Sequence, residues 1–132
     1  KVFQALRIIV NNEISELING LINSFKILPV GGMLVIVTFH SIEDKIVKFF
    51  FKNYSENKNV SRYLPSTVEK KNLFKLINKK PIIPSTNEIK FNPASRSAKL
   101  RYAIKLNNHS DFSEFTKKFN YLLDVEKLAK GI

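Results

Sequence analysis

The chain has 132 residues, no cysteine and a formal net charge of +11. That length suits one domain, or part of a larger one, with a real core, and the missing thiol excludes disulfides and thiolate metal sites. No apolar run reaches the ~20 residues of a membrane-spanning helix, and no signal peptide is visible. The start on Lys1, with Val2 and Phe3 directly after it, reads as a cut through a longer protein.

In chain order, Leu6, Val10, Ile14, Leu17, Leu21 and Phe25 recur at spacings of three and four, which predicts one amphipathic helix over residues 2–25. Pro29 ends it, and Gly31-Gly32 makes the turn. The unbroken apolar run over 33–39 predicts a strand buried on both faces, central and parallel in its sheet, with His40 at its carboxyl edge. Ser41-Ile-Glu-Asp44 is a capping-box-like start to a second helix, with Asp in place of the usual Glu or Gln. Ile42, Ile46, Phe49 or Phe50, and Tyr54 give its inner face. Helix, glycine turn, buried strand and helix make the rhythm of an open α/β sheet.

Residues 55–66 are polar and irregular, 68–77 reads as a short helix, and 80–84 is too proline-rich for more than an edge piece. Pro84-Ser-Thr-Asn-Glu88 starts a turn or short helix, and 91–98 reads as a loop. Leu100, Tyr102, Ile104 and Leu106 alternate, which predicts a strand with that face apolar. Residues 111–130 form a final helix with Phe112, Phe115, Phe119 and Leu122 as its stripe, and Asp111 and Glu114 are favourably placed at its start.

The positive excess is concentrated. Residues 57–105 carry 12 basic and 2 acidic side chains, whereas 1–56 carry 6 and 5, and 106–132 carry 4 of each. Clustering of this kind is the electrostatic footprint of a nucleic-acid partner. A general bias toward Lys, Ile and Asn makes bulk basicity cheap, so charge alone leaves the two readings level. The four arginines, Arg7, Arg62, Arg96 and Arg101, stand out in a lysine-biased chain as places that need a planar fork.

Two segments carry chemistry. The 33–39 strand delivers His40, Ser41, Glu43 and Asp44 to the edge where open α/β sheets bind ligands. Helix capping accounts for Ser41 and Asp44, solvation for Glu43 and a polar strand end for His40, and without a family argument that plainer account weighs more. The second segment, Asn92-Pro-Ala-Ser-Arg-Ser-Ala-Lys-Leu-Arg101, sets small hydroxyls and three cations in and just after a loop. Such groups suit phosphate oxygens. A turn held by Asn and Ser side chains, with Lys99 and Arg101 on a solvated strand face, suits the same residues equally. Glycine occurs only at 20, 31, 32 and 131, so there is no G-x-G-x-x-G and no P-loop. Two histidines without cysteine argue against zinc, and no metal site is expected. Ser41, His40 and Asp44, adjacent at a helix start, do not suit a relay triad.

Three segments in register resemble the RsmH/MraW family of bacterial methyltransferases: Phe3-Gln-Ala-Leu-Arg-Ile8; Gly31-Gly-Met-Leu-Val-Ile-Val-Thr-Phe-His-Ser-Ile-Glu-Asp-Lys-Ile-Val-Lys48; and Asn92–Arg101 as spelled out above. Lys80-Pro-Ile-Ile-Pro-Ser85 is similar to the family's segment between the last two. The likeness covers about residues 2–107. Departures are Val2 where the family usually has Thr, Thr38 for Ser, and Lys45 for Arg.

The resemblance implies a class I methyltransferase fold. This α/β chain would supply the last strands of a partial Rossmann-like sheet, the final one antiparallel, with an extra C-terminal helix. Residues 1–107 would be the carboxyl-terminal part of the catalytic domain and 108–132 a helical extension. The implied reaction moves a methyl group from S-adenosylmethionine to cytosine N4 of small-subunit ribosomal RNA, in the cytoplasm, on a base reached outside a stacked helix. His40, Ser41 and Asp44 would face the reaction centre. Asn92, Ser95, Arg96, Ser97, Lys99 and Arg101 would lie at the RNA, whose binding is expected to depend on Arg96 and Arg101. The family's glycine-rich cofactor loop and acidic ribose-binding residue lie upstream of the likeness, so no cofactor-binding residue is assigned. The chain alone is then expected to be inactive and to bind S-adenosylmethionine little. Its uncovered apolar faces would favour a homodimer or aggregation. The rival reading is a non-catalytic basic RNA-binding module that shares the fold. A membrane-surface role fits poorly, because the N-terminal helix is nearly neutral and the final helix has balanced charge.

Overall fold

In a computed structural model, residues 1–55, 72–109 and 111–131 are described. Residues 56–66 of the irregular stretch expected at 55–66, and residues 68–71 of the helix expected at 68–77, lie outside them. The described part, 72–77, holds no helix: Phe74–Leu76 is a strand, which corrects the expected short helix there.

The expected single N-terminal helix is two helices, α1 (Val2–Val10) and α2 (Glu13–Ile27). The break is at Asn12, whose φ of 53° and ψ of 35° are left-handed, a conformation that asparagine adopts more readily than most residues. The turn separates the apolar stripe into two surfaces. Ile14, Ile18, Leu21 and Phe25 of α2 are buried, while α1 buries only Ile8 and exposes Val2, Phe3, Leu6 and Val10.

Asn12 does not cap α2 with its side chain. Glu126, from the far end of the chain, does: its Oε1 accepts from Ile14 N at 2.8 Å and its Oε2 from Ser15 N at 3.2 Å. A buried carboxylate thus satisfies two unpaired N–H groups and meets the positive end of the helix dipole. Glu126→Ala should lower stability by about 2 kcal/mol, seen as a lower urea midpoint with an unchanged slope. Glu126→Gln, which keeps one acceptor, should lose less. An unchanged midpoint in both variants would mean that solvent serves these amides as well.

The expected strand is β1 (Met33–Thr38), and helix α3 (Ser41–Asn53) follows it. Strand β2 is Phe74–Leu76, α4 is Thr86–Phe91, a 3-10 turn runs over Pro93–Ser97, and β3 is Lys99–Lys105. Ser85 caps α4 by accepting from Glu88 N, so the expected start there forms. Ile82 bridges to Leu100, an edge contact of the kind the proline-rich segment allows. The final helix is interrupted at Phe119, giving α5 (Ser113–Lys118) and α6 (Asn120–Lys130). Its expected stripe still points inward, with Phe112, Phe115 and Phe119 buried.

The sheet order is β1-β3-β2, and β3 runs antiparallel to both neighbours. This corrects the expectation of a central, parallel β1. Among the described residues β1 is an edge strand, hydrogen-bonded only to β3. Its two faces also differ: Leu34 and Ile36 pack against the core, whereas Met33, Val35 and Val37 are about half exposed. An unbroken apolar run shows that a strand can be covered on both faces, and here helices α2 and α3 cover only one.

The inward face of β3 is not the apolar stripe of Leu100, Tyr102 and Ile104. Ala103 and Lys105 point into the core, and the apolar Leu100, Tyr102 and Ile104 lie opposite Val37, Val35 and Met33 in the register. They therefore share the half-open face. The cation in the core is satisfied in place: Lys105 Nζ donates to Phe25 O and Leu28 O, both at 2.7 Å, and stands 4.2 Å from the Phe25 ring centroid. It closes the carboxyl end of α2, where unpaired carbonyls and the dipole favour a cation. Gly31, at φ 87°, completes the turn into β1 and donates its N–H to Lys105 O at 2.8 Å.

Candidate functional site

The carboxyl end of β1 and the amino end of β3 coincide, since Thr38 pairs with Lys99. The two sequence segments singled out for chemistry therefore meet at one edge of the sheet. His40–Asp44 leaves β1 there, and Asn92–Ala98 leads into β3.

His40, and not Ser41, is the N-cap of α3. Its Nδ1 accepts from Glu43 N at 3.3 Å, and Glu43 Oε2 accepts from Phe39 N at 3.1 Å. This is a reciprocal cap of the capping-box kind, displaced by one residue from the expected box. Ser41 is exposed. Because Nδ1 accepts, the ring proton sits on Nε2. That nitrogen lies 3.2 Å from Glu43 Oε1 and 3.8 Å from Glu13 Oε2, with only 9% of the His40 side chain exposed. Arg7 Nε in turn reaches Glu13 Oε1 at 3.2 Å. Arg7, Glu13, His40 and Glu43 thus cluster where α1, α2 and the start of α3 meet, although His40 Nε2 itself makes no hydrogen bond among the described residues.

Ligand atoms of Glu13, His40 and Glu43 stand within 4.8 Å of one another, close enough for a cation. The cap favours the proton instead. A cation needs the Nε2 lone pair, and ligating histidines donate their other ring N–H. Here Nδ1 faces a backbone donor and has no acceptor to serve.

Asp44 links the two segments. Arg101 Nε donates to its Oδ1 at 2.7 Å and Nη2 to its Oδ2 at 3.1 Å, a bidentate pair with both side chains 11% exposed. Lys99 Nζ adds a 3.7 Å contact. The Arg101 hydrogen bonds hold the Asp44 carboxyl below its ordinary 3.8, against the opposing effect of burial. Arg101 is thus committed within the protein, and its fork holds the α3 start against β3.

The Asn92–Ser97 turn divides by residue. Ser95 is buried, and its hydroxyl donates to Asn92 O at 2.8 Å, which closes the turn. Asn92, Arg96 and Ser97 are exposed, and Lys99 is partly drawn toward Asp44. Among the described residues, Arg96 is the arginine of the segment whose fork meets no carboxylate. Glu13 was not legible as part of the site, because no spacing rule links a residue on the first turn of α2 to a strand end; only the fold brings it to His40.

The Gly31-Gly32 turn lies at the opposite end of β1 from His40. A Cβ on Gly32 would stand 2.7 Å from the Leu28 side chain and 2.9 Å from Pro29 O, so this glycine serves packing.

A model of the MraW methylase family matches residues 1–106. The protein "Ribosomal RNA small subunit methyltransferase H" of Xanthobacter autotrophicus is 46% identical over 107 residues, which covers 81% of this chain and 31% of that protein. The protein of the same name from Agrobacterium fabrum is 45% identical over 132 residues, covering 98% and 38%. That of Carboxydothermus hydrogenoformans is 46% identical over 107 residues, covering 80% and 34%. The chain spans about a third of the length of these curated relatives.

Proposed function

Since the chain belongs to the MraW methylase family, we propose that it is the carboxyl-terminal part of a methyltransferase catalytic domain acting on small-subunit ribosomal RNA. Residues 1–107 belong to that domain and 108–132 to a helical extension whose phenylalanines share its core. The donor is S-adenosylmethionine, which supplies an electrophilic methyl group, and the acceptor is cytosine N4. The setting is the cytoplasm.

The observation that carries this reading is the Arg101–Asp44 pair at 2.7 Å. It locks the His40–Asp44 edge and the Asn92–Arg101 segment to one end of the sheet, the end where open α/β sheets bind their ligands. Transfer to an exocyclic amine needs in-line positioning and exclusion of water more than a strong base. The roles of this chain follow from that need. His40 and Glu43 fix the start of α3 through their reciprocal cap. Asp44 and Arg101 hold it against β3, and Arg96 is open to a phosphate. The half-exposed face of Met33, Val35 and Val37, and the unpaired edge of β1, suit the further strands and helices of a protein about three times as long. The cofactor's binding loop belongs to that remainder.

Incubation of the intact protein with S-adenosylmethionine carrying a tritiated methyl group and with small ribosomal subunits, followed by nucleoside analysis, tests the proposal. Label in N4-methylcytidine is expected. Label in another nucleoside would move the target, and RNA binding without any label would favour the non-catalytic RNA-binding module.

A further inference from the structure

Eight of the eleven phenylalanines interlock in the core, with ring centroids 4.8–6.4 Å from a neighbour. Phe91 is the opposite case. It is the last residue of α4, and 92% of it is exposed, more than any other large apolar side chain among the described residues. An aromatic ring this bare forgoes the burial that normally stabilises it.

Its mounting is well defined. Ser85 Oγ accepts from Glu88 N at 3.2 Å at the start of α4, and Asn92 N donates to Glu88 O at 2.7 Å at its end. The following 3-10 turn is closed by the Ser95 hydroxyl on Asn92 O. The ring therefore projects from a hydrogen-bonded helix–turn unit. Four cations, Lys79, Lys80, Lys90 and Arg96, lie within the same stretch of chain, and all are exposed. Glu88 is the one carboxylate from 79 to 97. Among the described residues none of the four cations is ion-paired, in contrast to Lys99 and Arg101 on Asp44.

An exposed ring flanked by free cations is how proteins hold unpaired nucleic acid. Bases stack on the ring, cations follow the phosphates, and a closed duplex offers no free base face. We infer that Phe91 is a stacking platform for an unpaired RNA base, with Arg96 and Lys90 on the neighbouring phosphates. This rests on the ribosomal RNA reading above and deepens it: the substrate presents a single-stranded segment to the α4 turn, held by stacking and charge without readout of base edges.

The test is fluorescence anisotropy of the 132-residue chain with a labelled, unstructured RNA of about 12 nucleotides, against a duplex of the same sequence. The single strand should bind more tightly. Phe91→Leu keeps an apolar helix former and should weaken binding about tenfold without changing the slope of affinity against salt. Phe91→Tyr should restore it. Arg96→Gln should flatten that slope by about one unit. If Phe91→Leu binds like the parent while Arg96→Gln binds weakly, stacking is overturned and the RNA reading stands. Equal binding of duplex and single strand also overturns stacking. Absence of any salt-sensitive RNA binding by the parent overturns the stacking platform, whereas the ribosomal RNA reading falls only if the intact protein transfers no methyl group to the small subunit. Phe91 is exposed, so these variants should keep the parent's circular dichroism.

Discussion

Arg101→Ala should lower the stability of the chain by about 3–5 kcal/mol, enough to leave much of it unfolded at ambient temperature. The reason is asymmetry. The intact pair is bidentate and nearly buried, with each partner's desolvation met by two short hydrogen bonds. Truncation removes the fork and leaves the Asp44 carboxylate in place with Lys99 at 3.7 Å. Arg101→Lys keeps the charge but loses the planar two-point contact, so its loss should be intermediate. Replacing both partners by apolar residues, as in Asp44→Leu with Arg101→Met, should recover much of the deficit. The deficit should also depend on pH. Arg101 holds the Asp44 carboxyl below its ordinary 3.8, so the stabilisation is fully present above the unfolded value and is lost as pH falls through the lower folded one. Urea melts of parent and variant should therefore converge as pH drops below about 4. A loss under about 1 kcal/mol at neutral pH would place the pair among surface ion pairs.

Phe50→Ala should cost a similar amount, about 3–5 kcal/mol, by a different route. The Phe50 ring is fully buried, with centroids of Phe115 at 4.8 Å, Phe74 at 5.3 Å, Phe112 at 5.6 Å and Tyr54 at 5.8 Å. It is the ring on which α3, β2 and the α5 segment converge. Deleting it opens a cavity among stiff rings that cannot all tilt inward at once, so little is regained by collapse. Phe50→Leu should lose less, because it fills part of the space. Unlike Arg101→Ala, this loss should not change with pH. Thermal melts at neutral and acidic pH distinguish the two mechanisms, and a drop of only a degree or two for Phe50→Ala would show that the ring cluster repacks.

What was legible in the sequence follows from how local each cause is. Helix α3 and the phenylalanine stripe in and flanking α5 follow from periodicity, because burial on one face is written directly into the spacing. The break at Asn12 was not, since asparagine in a helical pattern carries little cost until a left-handed turn is needed, and the group that stabilises it, Glu126, is distant in sequence. The inward face of β3 is not legible for a related reason. Alternation favours Leu100, Tyr102 and Ile104, and a lysine counts as a surface residue, yet Lys105 is inward because the end of α2 offers it two carbonyls. The candidate site was legible as two segments, and their meeting through Arg101 and Asp44 was not. Glu13 and Phe91 became visible only through position and exposure.

The order of the sheet has a consequence for synthesis. The strand in the middle, β3, is the last of the three to leave the ribosome. Until it emerges, β1 and β2 have no partner in each other: Met33 waits for Ile104, and Leu76 for Ala103. A nascent chain halted after the Asn92–Ser97 turn would hold β1 and β2 without the strand that joins them, leaving the β3-facing edge of β1 open to chance pairing. The sheet closes in one late insertion, and the same event brings Arg101 to Asp44. The site edge is thus assembled when the sheet closes, before α5 and α6 bring their core phenylalanines and the Glu126 cap of α2.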